Sequence, residues 1–361
     1  MKRIAAFIVA AVLSFACRGA LAENAESPAA AESAAPAVLI QAHRGASHLA
    51  PENTLAAFRA AKAVGADGVE TDIRLTRDGQ LVLRHEDAVD LTSNGRGNIS
   101  EMTFEELKRL DFGAWYGKEF AGEAIPSLAE FLEAAKALDF QVLNLELKPF
   151  ACDSRLFVQL TADTILRSDA ADRVMVSSFD GRLLKEMKRY APSIPVALLT
   201  VPNLSAVSFF RFSDFLPSEK PVSEYTLKDI EKVPPAVSVI LRGFGAKGKT
   251  PGDIVLDVIK GIAAAMPEGA SWKDAEELIR EQANLIKYVD SLDFQIDYLN
   301  CHYSTLSGKL IAAMHERGIG VNVWTPDTER ELERVLALGP DGIITNEPAK
   351  ALRIRNQKKQ E

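Results

Sequence analysis

Short apolar runs that alternate with helix-like segments are the feature of this sequence that most restricts its fold. Each run has the length and composition of a buried strand, and a stretch with helical spacing follows most of them. This alternation is typical of a parallel sheet whose strands are joined by crossover helices. The predicted strands are Val38–Ala42, Gly68–Ile73, Leu81–His85, Gln141–Leu147, Val174–Ser178, Val196–Thr200, Ile296–Leu299, Gly320–Trp324 and Gly342–Thr345.

The number of strands favours an α/β fold of the TIM-like (β/α)8 barrel type, although nine strands are predicted and such a barrel has eight. Only the short link around Asp78-Gly79 separates the second run from the third, whereas parallel neighbours need a crossover of about a dozen residues. We therefore expect a hairpin-like piece of barrel wall there, unless one of the nine runs is not a strand. The predicted helices are Thr54–Val64, Thr103–Leu110, Ser127–Leu138, Asp153–Ser168, Gly181–Tyr190, Trp272–Leu292, Ser304–Arg317 and Thr328–Leu338.

Composition divides the chain into segments. A short basic start, an apolar run of about a dozen residues and Ala20-Leu21-Ala22 predict a signal peptide over residues 1–22, cleaved before Glu23. An uncleaved anchor and a lipid anchor at Cys17 are the alternatives. Residues 23–37 hold no large apolar side chain and predict a disordered linker.

The rest of the chain predicts one domain. The barrel should span residues 38–355, and a polar tail should follow over residues 356–361. Residues 201–285 interrupt the strand and helix rhythm, so we expect an insertion between late barrel elements. If the chain is exported, it reaches the periplasm of a Gram-negative cell or is otherwise secreted. Export would permit a bridge between Cys152 and Cys301, but two separate thiols are equally compatible with the sequence.

The charge balance bears on partners. Lys and Arg number 42 and Asp and Glu number 50, which gives a net charge of −8. An acidic surface repels nucleic acid and anionic membranes, so we expect no nucleic-acid partner, and membrane contact stays open but is not indicated. A small anionic substrate remains compatible, because local basic residues and a metal can dominate one pocket.

Polar side chains stand at the ends of several predicted strands, where a barrel builds its active face. Because residues two apart share one face of a strand, Glu70 projects with Asp72, and Glu146 projects with Lys148. Three carboxylates from two strands suit a divalent cation that prefers oxygen ligands, Ca²⁺ or Mg²⁺.

Five histidines occur in the chain. His43 and His85 close apolar runs beside other charged residues and are the candidates for chemistry. His48 and His302 are on the loop side of their elements, where their role is ambiguous, and His315 is expected on a helix surface.

An ordered series of motifs resembles the glycerophosphodiester phosphodiesterase family. It covers about Ala42 to Pro348, apart from the predicted insertion. The motifs are His43-Arg44-Gly45, Pro51-Glu52-Asn53-Thr54, Gly65 to Asp72, Thr76-Arg77-Asp78-Gly79, Leu83-Arg84-His85, Leu145-Glu146-Leu147-Lys148, Trp324-Thr325 and Asp341 to Pro348.

The resemblance implies roles for eight residues. It implies that His43 and His85 are a general acid/base pair and that Glu70, Asp72 and Glu146 are metal ligands. It also implies that Arg44 and Lys148 are phosphate ligands and that Trp324 is a wall of the substrate pocket. One departure concerns Glu86, which stands where the family usually has Asp.

The resulting hypothesis is an exported, metal-dependent hydrolase that converts small glycerophosphodiesters to glycerol phosphate and an alcohol. Two alternatives stay open. One is a phospholipase D-like cleavage of lysolipid or sphingolipid head groups. The other is a non-catalytic binding protein on the same barrel, because fold alone does not imply activity.

Overall fold

The computed structural model describes residues 38–148, 154–201, 271 and 284–358. Nine strands run through these residues: β1 Leu39–His43, β2 Gly68–Leu75, β3 Leu81–Leu83, β4 Val142–Leu147, β5 Val174–Ser178, β6 Val196–Thr200, β7 Tyr298–His302, β8 Gly320–Trp324 and β9 Gly342–Thr345. The helices of this part of the chain, numbered in order, are α1 Leu55–Ala63, α2 Phe104–Leu107, α3 Leu128–Leu138, α4 Ser154–Leu166, α5 Gly181–Tyr190, α6 Leu285–Asp290, α7 Gly308–His315, α8 Glu329–Leu338 and α9 Pro348–Lys358.

The strands close into a barrel. The sheet order is β1-β9-β8-β7-β6-β5-β4-β2-β3, and β1 also pairs with β2, which joins the two ends. All pairs are parallel except β2 with β3. Eight parallel strands therefore form the wall, and the predicted TIM-like barrel is confirmed.

β3 is the ninth predicted strand, for which the eight parallel strands of the barrel leave no place. It pairs antiparallel with the last part of β2, with Ile73 opposite Leu83 and Leu75 opposite Leu81. Gly79 has a φ of +77° in the turn between them. β3 ends at Leu83, not at His85 as predicted, because the chain leaves the ladder there to start a connecting loop.

β7 is shifted from its predicted position. It runs over Tyr298–His302 rather than Ile296–Leu299. Asp297 lies just before the strand, and its carboxylate Oδ2 accepts a hydrogen bond from the Val196 N–H at 2.7 Å. The shift makes His302 the last residue of β7, at the loop side of the strand.

Alternation along the strands separates an apolar outer face from an inner face that carries the polar side chains and a small apolar cluster of Val142, Met175 and Ala197. Val69 and Leu143 lie in the core between the sheet and the helices. Asn144, Asn300 and Asn322 are buried inside the barrel, where Asn322 Nδ2 donates to Asn300 Oδ1 at 2.9 Å. The two-residue period thus places apolar side chains against helices and polar ones beneath the barrel mouth.

The helix starts follow local sequence signals. Thr54 caps α1, since its Oγ1 accepts the Ala57 N–H at 3.3 Å. Ser127 and Thr328 form capping boxes at α3 and α8. At the other end of the chain α9 continues to Lys358, past Arg355, where the predicted barrel ends.

Several predicted segments fall outside the described residues. They are the signal peptide, the linker, most of the insertion and Cys152. Cys301 is a buried thiol in β7. Within the part of the chain that the structure describes, no helix has the length and apolar character needed to cross a bilayer.

Candidate active site

Three carboxylates meet at the barrel mouth. Glu70 and Asp72 lie on the inner face of β2, and the register of β2 with β4 sets Asp72 opposite Glu146. All three are buried, and one oxygen from each lies within 4.8 Å of the others. The structure therefore brings together the ligand set predicted from the strand spacing.

The donor set fits a hard divalent cation. Glu70 Oε1 is buried and makes no hydrogen bond within the described residues. An unpaired buried carboxylate oxygen is costly, and a cation with oxygen ligands would offset that cost. We identify Glu70, Asp72 and Glu146 as the residues that would hold such a cation.

The two candidate histidines reach this cluster by different routes. His43 ends β1, and its Nε2 lies 3.8 Å from Glu70 Oε2. His85 follows β3, which runs back toward the mouth, and the N–H of Arg84 donates to the Asp72 carbonyl at 2.9 Å. The antiparallel hairpin thus carries His85 to the level of Asp72.

Arg44 is held in an uncommon backbone conformation. Its φ is +56°, which costs a non-glycine residue about 1–3 kcal/mol. Its N–H donates to Glu70 Oε2 at 3.0 Å, and its carbonyl accepts the Asn53 N–H at 2.9 Å. Arg44 Nη1 donates to both oxygens of Glu52 at 3.2 and 3.1 Å. These contacts fix the guanidinium at the edge of the cluster.

Lys148 and Trp324 complete the set of predicted residues. Lys148 Nζ lies 2.6 Å from Glu146 Oε1 and 3.0 Å from Asp72 Oδ1. Trp324 ends β8, and its Nε1 donates to the Asn300 carbonyl at 3.1 Å. Phe179 and His302 pack edge-on against the indole, with ring centroids 5.5 and 5.0 Å away.

All predicted site residues line one cavity except Asp72, which is fully buried. The histidine and charged side chains come from β1 to β4 and the residues that follow these strands, and the two aromatic side chains come from the residue after β5 and the end of β8. The lining residues are His43, Arg44, Glu70, His85, Asn144, Glu146, Lys148, Ser177, Phe179, Leu199, Trp324, Thr325 and Ile344.

The carboxylates differ in how readily they ionise. Burial raises the pKa of Glu70 well above its usual value, and Asp72 and Glu146 add to the rise. Burial raises the pKa of Glu146 to about 7, although Lys148 acts in the opposite direction. Burial would also raise the pKa of Asp72, but Lys148, His85 and Arg44 hold it well below its usual value. Protons and a cation therefore compete for this cluster.

Both candidate histidines are neutral at neutral pH in the metal-free protein. Burial and the neighbouring Arg44 lower the pKa of His43 to about 4. Burial, Arg44 and Lys148 lower the pKa of His85 to about 4. Neutral imidazoles can accept protons, as acid/base chemistry requires.

The remaining histidines lie elsewhere. His48 is exposed near Glu347, with Nε2 3.7 Å from Oε1. His315 ends α7 and contacts Asp341 at 2.7 Å on the protein surface, as predicted for that helix.

Sequence reasoning assigned no contact to the side chains that hold the candidate residues, although it singled out Glu86 as a departure from the family. Asn53 Nδ2 donates to Asp72 Oδ2 at 2.8 Å. Glu86 Oε1 lies 2.7 Å from His85 Nδ1, and Asn346 Oδ1 lies 2.6 Å from His43 Nδ1. A usable signal existed for Asn346, since it follows β9 at the end of the strand where barrels place functional groups.

Comparisons with known proteins agree with this site. A model of the glycerophosphoryl diester phosphodiesterase family matches residues 43–236 and 266–350, more than half of the chain. The glycerophosphodiester phosphodiesterase of Caldanaerobacter subterraneus subsp. tengcongensis is 42% identical over 161 residues, which span 45% of this chain and 66% of that protein. The glycerophosphodiester phosphodiesterase of Bacillus altitudinis is 27% identical over 89% of this chain and 99% of its own length.

Solved structures support the fold. An Oleispira antarctica phosphodiesterase, solved with sn-glycerol-3-phosphate, superposes with a TM-score of 0.60 at 22% identity, covering 89% of this chain and 97% of that one. A glycerophosphodiester phosphodiesterase from Agrobacterium tumefaciens gives 0.55 at 19% identity, over 88% and 99%. The barrel, the carboxylate cluster and the family match agree, and the chain is a phosphodiester hydrolase that belongs to the glycerophosphoryl diester phosphodiesterase family.

Proposed function

We propose that this chain hydrolyses small glycerophosphodiesters to glycerol phosphate and an alcohol. The observation that carries the proposal is a single cavity lined by two imidazoles, two carboxylates, a guanidinium and an ammonium group, with the third carboxylate, Asp72, buried next to the other two. The Caldanaerobacter and Bacillus altitudinis relatives bear the name of this activity, and the Oleispira structure contains one of its products.

The carboxylates give the reaction its metal dependence. Glu70, Asp72 and Glu146 would hold a divalent cation, Ca²⁺ or Mg²⁺. When bound there, the cation supplies Lewis-acid activation of the phosphodiester. Arg44 and Lys148 stabilise the negative charge that grows on the phosphoryl oxygens, because fixed cations in a buried site interact strongly with that charge.

His43 and His85 move the protons. One imidazole takes a proton from the attacking hydroxyl, and the other delivers a proton to the departing alkoxide. The attacker is either water or a hydroxyl of the substrate itself, in which case a cyclic phosphate forms first. Trp324 forms an apolar wall of the cavity, against which the carbon atoms of the substrate can pack.

The N-terminal pattern supports a further proposal, export of the chain through the signal peptide of residues 1–22. Mass spectrometry of the protein from the extracellular or periplasmic fraction tests it. A mature N-terminus at Glu23 is the expected result, and an intact N-terminus in the cytoplasmic fraction contradicts it.

The test of the activity is release of glycerol phosphate from glycerophosphocholine and glycerophosphoethanolamine. EDTA should abolish release, and Ca²⁺ or Mg²⁺ should restore it. His43→Ala should remove most turnover while the circular dichroism spectrum stays unchanged; full turnover in this variant contradicts the role of His43. Turnover confined to micellar lysolipid identifies the phospholipase D-like alternative, and metal binding without any turnover identifies a binding protein.

A further inference from the structure

An amide at the end of β9 connects His43 to a carboxylate. Asn346 Oδ1 lies 2.6 Å from His43 Nδ1 and accepts a second hydrogen bond from Ser47 Oγ at 3.0 Å. On its other side, Asn346 Nδ2 donates to Asp327 Oδ2 at 2.7 Å. Asp327 is not among the described residues that line the cavity.

The orientation of this amide follows from its two neighbours. A carboxylate only accepts hydrogen bonds, so the group that faces Asp327 must be the NH₂ of Asn346. The carbonyl oxygen of Asn346 is therefore the atom that faces His43. Because that oxygen cannot donate, the hydrogen atom of the contact belongs to Nδ1 of His43. In a neutral imidazole the other nitrogen, Nε2, then carries the lone pair.

Asp327 is itself held firmly. Its Oδ1 accepts the Asn346 N–H at 2.9 Å and the Thr345 hydroxyl at 2.9 Å. Its carbonyl accepts Lys350 Nζ at 2.8 Å, and its N–H donates to Glu331 Oε2 at 3.2 Å. The carboxylate therefore presents one fixed oxygen to the amide of Asn346.

We propose that Asp327 is a positioning residue, which fixes the amide of Asn346 and so keeps His43 protonated at Nδ1. His43 then exchanges protons with the substrate only through Nε2, the nitrogen that faces Glu70 and the cavity. The proposal rests on the proposed function for its effect on turnover. The tautomer itself is independent of turnover and can be observed without substrate.

A simpler alternative is that Asp327 only fastens the loops after β8 and β9. Asp327→Asn separates the two ideas. The new amide oxygen can still accept from the Asn346 N–H and from Thr345, so the loops stay fastened. Its NH₂ would face the NH₂ of Asn346, which must turn over and present its own NH₂ to His43. His43 would then carry its hydrogen atom on Nε2, the wrong nitrogen for accepting a proton in the cavity.

The kinetic test compares Asp327→Asn with an exchange variant that carries both Asp327→Asn and Asn346→Asp. In the exchange variant the new amide donates to the new carboxylate, which again accepts from His43 Nδ1. The net charge is that of the wild type. Asp172→Asn, on the exposed surface, is the matched control.

We expect Asp327→Asn to lower kcat by about 10²–10⁴-fold with KM little changed, since the same replacement behind a serine-protease histidine acts through the tautomer and costs about 10⁴-fold. The kcat of the exchange variant should be at least about tenfold higher than that of Asp327→Asn. The kcat of Asp172→Asn should match that of the wild type. Asp327→Asn with wild-type kcat overturns the proposal, as does an exchange variant no better than the single one.

The spectroscopic test uses ¹⁵N-labelled, metal-free protein at pH 8, with the His43 signals identified by their absence in His43→Gln. Two-bond ¹H–¹⁵N spectra should show His43 protonated at Nδ1 in the wild type and the exchange variant, and at Nε2 in Asp327→Asn. A wild-type protein protonated at Nε2 overturns the proposal even if a variant fails to fold. If the wild type lacks phosphodiesterase activity, the proposed function fails while these spectra still decide the tautomer.

Discussion

Lys148 Nζ lies 2.6 Å from Glu146 Oε1, so an ammonium group shares the carboxylates that would bind a cation. The same amino group is 3.0 Å from Asp72 Oδ1. Two positive charges would then stand on one small anionic cluster. They repel each other, although each is attracted to the carboxylates.

This geometry predicts opposite effects of Lys148→Met on metal and on substrate. Loss of the ammonium removes its repulsion of the cation, so metal binding should stay unchanged or tighten by up to about tenfold. If Lys148 is a phosphate ligand, as proposed, its loss should lower kcat/KM by about 10²-fold, because the growing phosphoryl charge loses a stabilising cation.

Calorimetry measures the metal affinity of this variant, and steady-state kinetics at saturating metal measures kcat/KM. Lys309→Met, on the exposed side of α7, is the matched control and should behave as the wild type. Weaker metal binding together with normal kcat/KM would mean that Lys148 supports the metal site instead of the phosphate.

Metal affinity should fall as the pH is lowered through neutrality. Burial raises the pKa of Glu146 to about 7 and raises that of Glu70 well above its ordinary value, so both hold protons that a cation must displace. Each displaced proton weakens apparent binding by up to about tenfold per pH unit below the pKa. Calorimetry at pH 6, 7 and 8, in buffers of different ionisation enthalpy, measures both the affinity and the number of protons released.

The same shifts set the sign of a stability effect. A carboxyl whose folded pKa lies above its unfolded value binds protons better when folded, so its contribution to the free energy of unfolding falls as the pH rises. For Glu146 this happens between about 4.5 and about 7. The stabilisation that a saturating cation gives should therefore be larger at pH 8 than at pH 6. Equal stabilisation by the cation at pH 6 and pH 8, without proton release on binding, would contradict a protonated cluster. The control is Glu133→Gln, on an exposed face of α3, which should reproduce the wild-type values.

The sequence predicted the parts of this site that depend on strand periodicity. The inner-face spacing of Glu70 with Asp72 places two candidate metal ligands on one strand, and parallel strands align their carboxyl ends, which brings Glu146 to the same level. His43 closes β1, so the strand alone positions it. These placements need only the direction of a strand and its two-residue period.

The contacts that orient these residues could not be predicted in the same way. Asn346 and Asp327 meet because two loops after neighbouring strands close on each other, and no local pattern specifies that contact. His85 arrives from an antiparallel strand, so the direction of approach depends on the hairpin. The contact of Glu86 with His85 depends on one side-chain rotamer.

Glu86 should matter to catalysis through His85. Its carboxylate lies 2.7 Å from His85 Nδ1, and this hydrogen bond lowers the pKa of Glu86 to about 2, so the group stays charged. Glu86→Ala removes the acceptor that orients the imidazole and should lower kcat by about 10–100-fold, as for other supporting hydrogen bonds to histidine. Glu86→Gln keeps an acceptor without charge and should give an intermediate kcat.

Steady-state kinetics on glycerophosphocholine at saturating metal provides the comparison for Glu86. Glu133→Ala and Glu133→Gln serve as matched controls on an exposed surface. Wild-type kcat in Glu86→Ala would mean that the rest of the loop holds His85 without this carboxylate.

Gly45, in the turn after β1, should tolerate no side chain. Its φ is +77°, and an added Cβ would lie 2.7 Å from the Ala57 Cβ and 2.8 Å from the Ala57 carbonyl carbon in α1. Gly79 has the same φ of +77° with nothing within 4 Å. Gly79→Ala therefore measures the cost of the backbone conformation alone, about 1–2 kcal/mol. Gly45→Ala should cost about 1–3 kcal/mol more, because α1 must move.

Urea denaturation gives the free energies of unfolding of Gly45→Ala and Gly79→Ala, and steady-state kinetics gives their kcat/KM values. Because Gly45 follows Arg44, a displaced turn also moves the Arg44 N–H away from Glu70, so Gly45→Ala should lower kcat/KM while Gly79→Ala leaves it unchanged. Equal destabilisation by the two substitutions would show that the contact with α1 relaxes at no cost, and the glycine would then be required for its backbone conformation alone.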